Sequence, residues 1–158
     1  MFCNYSGCLF HEIQNSPTGG IVELSRQADY AIRAMMDLAE IPEGELSQTR
    51  EIARRQEIPE KYLPTIVRTL ARAGLIRTLR GSHGGVSLGR PASQITLRDV
   101  VEAIDGPLLL NRCLIRPGEC GGTGDTHCSL HNFWELMVRN IEDQMDSIDF
   151  EFLVSGER

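Results

Sequence analysis

Three cysteines and a histidine fall in one glycine-rich stretch, Cys113-x6-Cys120-x7-Cys128-x2-His131. A thiolate is both a nucleophile and a soft metal ligand. Gly118, Gly121, Gly122 and Gly124 relax the backbone between the cysteines, so that three sulfurs can converge on one inorganic core. Sulfur donors suit zinc or an iron–sulfur cluster. Structural zinc sites generally use closely spaced cysteine pairs, and no Cys-x-x-Cys pair occurs here, so the wide spacing favours a cluster. The competing reading is three unconnected buried thiols, for which a polar, glycine-rich stretch is a poor setting. Cys3 and Cys8 stand apart and are left out of this site.

A second constellation is basic. From Arg50 to Arg90 there are nine Lys and Arg against three acids, a local charge of +6 in a chain of net charge -6, which leaves -12 for the rest. Such separation suits a basic face for a polyanion and an acidic body turned away from it. An ordinary solvated helix face is the alternative on charge alone.

Helical periodicity supplies the scaffold for both groups. Residues 1–22 show no periodicity and end in Ser16-Pro17-Thr18-Gly19-Gly20, the composition of a flexible extension. From Ser25, a candidate N-cap, Ala28, Ile32, Met35, Met36, Leu38 and Ala39 recur at helical spacing until Pro42 and Gly44. Ser47 is expected to cap a short second helix, and Pro59 to open a third that runs to Ala73 and stops at Gly74. Leu75–Leu79 and Val86–Leu88 flank a glycine-rich turn and read as a hairpin. Helix, short helix, helix, hairpin is the order of a winged helix-turn-helix. Thr96 and Asp99 form a candidate capping box for a fourth helix, Leu97–Ile104, ended by Asp105-Gly106-Pro107. Beyond the cysteine loop, Leu130, Trp134, Met137, Ile141, Met145, Ile148 and Phe152 make a stripe for one long helix suited to a partner chain. The expected fold is therefore mainly α with a small β-hairpin wing. Residues 23–92 would form the DNA-binding domain, and residues 93–158 the cluster loop and dimerisation helix.

In such a fold the third helix enters the major groove. Glu60, Lys61, Tyr62 and Thr65 then stand near bases or the adjoining backbone, and Arg54, Arg55, Arg68 and Arg72 near phosphates. Pro64 would cost a hydrogen bond inside that helix unless it lies in the first turn. At the wing, Arg80-Gly81-Ser82-His83-Gly84 lets the backbone approach DNA while Arg80 reaches into a narrow minor groove. A tight turn with no ligand is the plainer reading of the same glycines.

Several unrelated segments, in order, carry a resemblance. They are Leu24-Ser25-Arg26-Gln27-Ala28-Asp29-Tyr30-Ala31-Ile32-Arg33-Ala34, Ile58-Pro59-Glu60-Lys61-Tyr62-Leu63, Ala73-Gly74-Leu75-Ile76, Arg80-Gly81-x-x-Gly84-Gly85, and Ile95-Thr96-Leu97-x-Asp99-Val100-Val101-Glu102-Ala103-Ile104. Together they resemble the Rrf-type (IscR/NsrR) family of winged-helix iron–sulfur regulators over about Val22–Leu153. The resemblance implies that Cys113, Cys120 and Cys128 hold a cluster and that the fourth ligand varies. His131 matches the position used when the loop supplies it, which goes with a two-iron (2Fe-2S) cluster. Asp29 matches the position from which a second subunit supplies a carboxylate to a four-iron cluster; His127 is a weaker candidate. The two-iron form is favoured. Val22 stands where relatives begin with Met, which implies a start at a GTG codon there, with residues 1–21 outside the native protein. Pro64 departs from the family pattern, where the cluster-biogenesis regulator has a base-reading acid, so the operator sequence does not transfer.

A chain of 158 residues has room for one compact domain and an appendage, not for a two-lobed enzyme. No nucleophile–base pair can be placed, so no enzymatic activity is expected. Neither an export signal nor an apolar run of membrane-spanning length occurs, so the chain is expected in the cytoplasm, without membrane contact. The expectation is a homodimeric regulator of a palindromic double-stranded DNA operator, controlled by cluster status, redox or nitric oxide. The rivals are a cluster-free thiol switch or partner-controlled regulator of the same fold, and a small iron–sulfur carrier or scaffold.

Overall fold

The structure is a computed structural model that describes residues 24–81, 84–116 and 128–156. The expected start at Val22, and Cys3, Cys8, Ser82, His83, Cys120 and His127, lie outside these residues.

Helix α1 (Arg26–Ala39) starts where local chemistry places it: the Ser25 hydroxyl accepts from the Ala28 amide at 3.1 Å. It buries Ala28, Ala31, Ala34, Met35 and Leu38. Helix α2 (Thr49–Arg55) begins later than expected, with Gln48 and not Ser47 at its cap. Ser47 is extended and pairs with the wing, its N–H donating to Val86 O and the Val86 N–H to Ser47 O, both at 2.9 Å. A buried polar backbone must be bonded somewhere, and here a neighbouring strand satisfies it.

Helix α3 (Leu63–Arg72) also begins later than Pro59, because residues 59–62 form a turn closed by the Tyr62 N–H on Pro59 O at 3.0 Å. Pro64 therefore lies in the first turn, where its missing N–H would have had no helical partner. The helix ends as expected. Gly74 (φ +72°) donates to Ala71 O at 3.1 Å and Leu75 to Leu70 O at 3.0 Å, the paired bonds of a left-handed cap.

Strands β1 (Ile76–Leu79) and β2 (Gly85–Leu88) pair antiparallel, from Ile76 opposite Leu88 to Leu79 opposite Gly85. At the turn a Cβ on Gly84 would sit 2.2 Å from Leu79 O, so only glycine closes this hairpin. A 3-10 turn, Ala92–Gln94, leads to α4 (Leu97–Asp105). Both bonds of its capping box form: the Asp99 N–H reaches Thr96 Oγ1 at 3.2 Å and the Thr96 N–H reaches Asp99 Oδ2 at 3.1 Å. A short helix α5 (Arg112–Ile115) forms where only a loop was expected.

The expected single long helix is interrupted. Helix α6 (Ser129–Asp146) stops at Ser147, and α7 (Phe150–Ser155) starts afresh with the Asp149 carboxylate accepting from the Phe152 N–H at 2.8 Å. The cause is tertiary. Phe150 is fully buried in the core, and the Leu97 N–H donates to Ile148 O (2.8 Å) while the Phe150 N–H donates to Ile95 O (3.1 Å). Burying one phenylalanine stabilises by roughly 1.5–3 kcal/mol, which offsets the helical bonds given up at the break.

One core cluster runs from Ala31 through Ile52, Leu63, Leu70, Val86 and Val100 to Phe150. Within it α4 packs on α1 and α3, and also on α6. The fold is mainly helical with a two-stranded wing, as expected. Among the described residues no helix is long and apolar enough to cross a membrane.

Candidate nucleic-acid interface and cysteine segment

Arg54, Glu60, Lys61, Thr65, Arg68 and Arg72 are all exposed along α2, the following turn and α3. Arg80 and Gly81 are exposed at the end of β1, with Gly84 half-buried across the turn. Between α2, α3 and the wing lies an open groove of about 480 Å³, bordered by Gln48, Arg50, Val67, Thr78 and Gly81. Tyr62 is half-buried, tilted against Tyr30 at 5.5 Å between ring centroids, with Lys61 Nζ 5.0 Å above its ring. Glu60 faces Arg50 at 3.7 Å, both well exposed. A pair this exposed contributes little to stability, so both side chains can be redirected at low cost.

Arg55 turns the other way. It grips Asp37 through two bonds, Nε to Oδ1 at 2.8 Å and Nη2 to Oδ2 at 2.6 Å, and donates to Ser47 Oγ at 2.6 Å. Gln56 adds a bond to Asp37 at 3.2 Å. Asp37 is 3% exposed, so this carboxylate depends on Arg55 for its counter-charge. Its hydrogen bond raises the Arg55 pKa further above its ordinary value, against a smaller lowering by burial. Sequence reasoning missed Asp37 and gave Ser47 only a capping role. An acid inside the apolar run Met35-Met36-Asp37-Leu38 was the available signal. Arg33, also missed, donates to Gln56 O and so ties α1 to the turn between α2 and α3.

At the cysteine segment, Cys113 lies on α5 and is 8% exposed, while Cys128 is exposed at the N-cap of α6; neither is in a disulfide. Helix α5 packs on α6, so the helix bearing the first thiol rests on the helix that the third one opens. His131 lies in the first turn of α6, its Nε2 3.4 Å from Glu135 Oε1. One turn further, the Trp134 indole N–H is buried with no acceptor among the described residues. Asp29 is exposed on α1, 3.6 Å from Arg33. The Asp105 carboxylate at the end of α4 accepts from the Ser25 N–H (3.1 Å) and hydroxyl (2.5 Å), tying the start of α1 to the point where the cysteine segment departs. Among the described residues no three His, Cys, Asp or Glu side chains gather at one point.

The family profile described as "Rrf2: Iron-dependent Transcriptional regulator" matches residues 24–156. A protein of Mycobacterium tuberculosis named as an HTH-type transcriptional regulator is 40% identical over 135 residues, covering 85% of this chain and 83% of that one. A protein of Rhizobium meliloti, aau3, is 38% identical over 124 residues, covering 73% and 79%. Among solved structures, CymR, the global cysteine regulator of B. subtilis, superposes with a TM-score of 0.70 at 26% identity, covering 87% of this chain and all of that one. IscR of T. potens superposes with a TM-score of 0.67 at 27% identity, covering 86% and 89%.

Proposed function

The chain belongs to the Rrf2 family of DNA-binding transcriptional regulators, and from that premise we propose that it is a cytoplasmic homodimer whose operator affinity is set by an iron–sulfur cluster on Cys113, Cys120 and Cys128. The carrying observation is that a buried free thiol and an exposed free thiol border the glycine-rich stretch on helices that pack together. The donor set fits such a group: soft sulfurs, an imidazole in the first turn of α6, and a buried Trp134 N–H with no acceptor among the described residues, of the kind that tunes cluster sulfurs. His131 would complete a two-iron cluster; Asp29 from a second copy would complete a four-iron one. When bound, the cluster would supply an iron centre open to redox change or nitric oxide.

For DNA, α3 lies in the major groove. Glu60, Lys61, Tyr62 and Thr65 meet bases or adjoining backbone, and Arg54, Arg68 and Arg72 meet phosphates. Arg80 enters the minor groove beside Gly81, Ser82, His83 and Gly84. Dimerisation is supported by Leu130, Phe133 and Leu136 on α6, which are 56%, 48% and 57% exposed at helical spacing. A palindromic operator mirrors the resulting two-fold symmetry.

The test has two arms. Protein purified without oxygen should be brown and carry iron and sulfide; a colourless product that cannot be reconstituted removes the cluster. A selected palindromic duplex should be shifted by the wild type and bound about tenfold more weakly by Arg80→Ala, a change of ~1.4 kcal/mol, with the salt slope reduced by about one. Unaltered affinity would take the wing out of the interface. A thiol switch is the second reading, favoured by the exposure of Cys128, and matching iron, sulfide and colour exclude it.

A further inference from the structure

Arg98, in the first turn of α4, stands among three carboxylates. Its Nε donates to Glu102 Oε1 on the same helix at 2.8 Å, while Nη1 reaches Asp146 Oδ2 at 2.9 Å and Nη2 lies 3.2 Å from Glu142 Oε1, both on α6. Thr96 Oγ1 adds a bond to Asp146 Oδ1 at 3.4 Å. Beside them, backbone bonds tie Leu97 to Ile148 and Phe150 to Ile95. The start of α4 is thus fastened to the end of α6 by side chains and backbone together. Glu102, then Asp146, push the Arg98 pKa up further, so its charge is constant at any working pH.

The position of this joint gives it a function beyond packing. Helix α4 lies against α3, the groove-reading helix, and against α6, the helix with the outward apolar face. The angle between those two helices is therefore set through α4. A planar guanidinium with its donors in a fixed fork holds an angle better than a flexible ammonium does. Without it, Glu102, Glu142 and Asp146 would face one another as like charges and push the joint open.

We infer that Arg98 is a positioning residue that locks the DNA-reading head to α6 and thereby sets the spacing of the two recognition helices in the dimer. The inference rests on the dimeric reading above and makes no use of the cluster.

The experiment uses full-length protein and a palindromic duplex selected from random DNA by the wild type. One base pair is then inserted or deleted at the centre, which changes both the separation and the rotation of the half-sites. The wild type should lose about tenfold or more in affinity for each altered spacing. Arg98→Ala should lose less than about threefold, because its heads swing to follow the half-sites. Glu142→Ala with Asp146→Ala removes the interhelical acceptors of Arg98 and should behave like Arg98→Ala; Glu102→Ala removes only the intrahelical one and should behave like the wild type. If Arg98→Ala and the double variant both discriminate spacing as sharply as the wild type, the inference is wrong. A wild-type chain that sediments as a monomer would overturn the dimeric reading instead. Hydrogen exchange at the Leu97 and Phe150 amides then judges the joint, and protection unchanged in Arg98→Ala refutes the lock.

Discussion

Protein carrying Cys113→Ala, purified without oxygen, is expected to be colourless and to hold iron and sulfide only at background, while remaining folded. A cluster held by three thiolates and one weaker donor has no spare sulfur, so deleting one thiolate removes the site and not a fraction of it. The fold should survive because Cys113 is small and lies on α5, outside the main core cluster. Alanine there deletes one buried sulfur, a loss of about 1 kcal/mol. The two consequences separate function from packing. If Cys113 were only a buried apolar residue, the variant would lose a few degrees of melting temperature and keep full colour. A brown Cys113→Ala protein with wild-type iron content would end the proposed ligand set. On the selected operator the variant should match wild-type protein stripped of iron, since both then present the same residues to DNA.

Arg55→Ala is expected to destabilise the chain by about 3 kcal/mol, a fall in melting temperature of about 6–12 °C. The physical reason lies with its partner. Removing Arg55 leaves Asp37, 3% exposed, as a buried carboxylate with, among the described residues, only Gln56 to bond it, whereas Arg55 itself is 41% exposed and rehydrates if Asp37 is lost. That exposure sets the loss at the lower end of the range for breaking a buried pair. Asp37→Ala should accordingly cost less, about 1–2 kcal/mol. The asymmetry, measured by urea unfolding of both variants, checks the assignment; equal losses would mean that the pair behaves as an exposed one. The same variant decides the fate of Arg55 at DNA. A guanidinium committed to Asp37 and Ser47 releases no counterions on binding, so Arg55→Ala should leave the salt dependence of operator binding unchanged below its melting range. A slope reduced by about one would return Arg55 to the phosphate backbone.

What the amino-acid sequence determined by itself was most of what neighbours within about five residues govern, the turn that Tyr62 closes on Pro59 being the exception. Ser25 caps α1, Thr96 and Asp99 close a capping box, Gly74 ends α3 in the left-handed region, and Gly84 closes the hairpin. Each is a backbone donor or acceptor satisfied locally, so residue type and spacing suffice. The winged-helix order followed from those signals, and with it the exposed positions of Lys61, Arg68 and Arg80. Tertiary structure alone decided where local options were balanced. Ser47 could cap a helix or join a strand, and Val86 drew it to the strand. Arg55, still 41% exposed, is bound by a buried acid on α1, 18 positions earlier, a partner that no local signal announces. The apolar stripe after Cys128 could run unbroken through Phe152, but Ile95 and the core claimed Phe150 and ended α6 at Asp146. In each case the deciding partner is remote along the chain, and its burial or hydrogen bonding outweighs a local preference of at most about 1 kcal/mol.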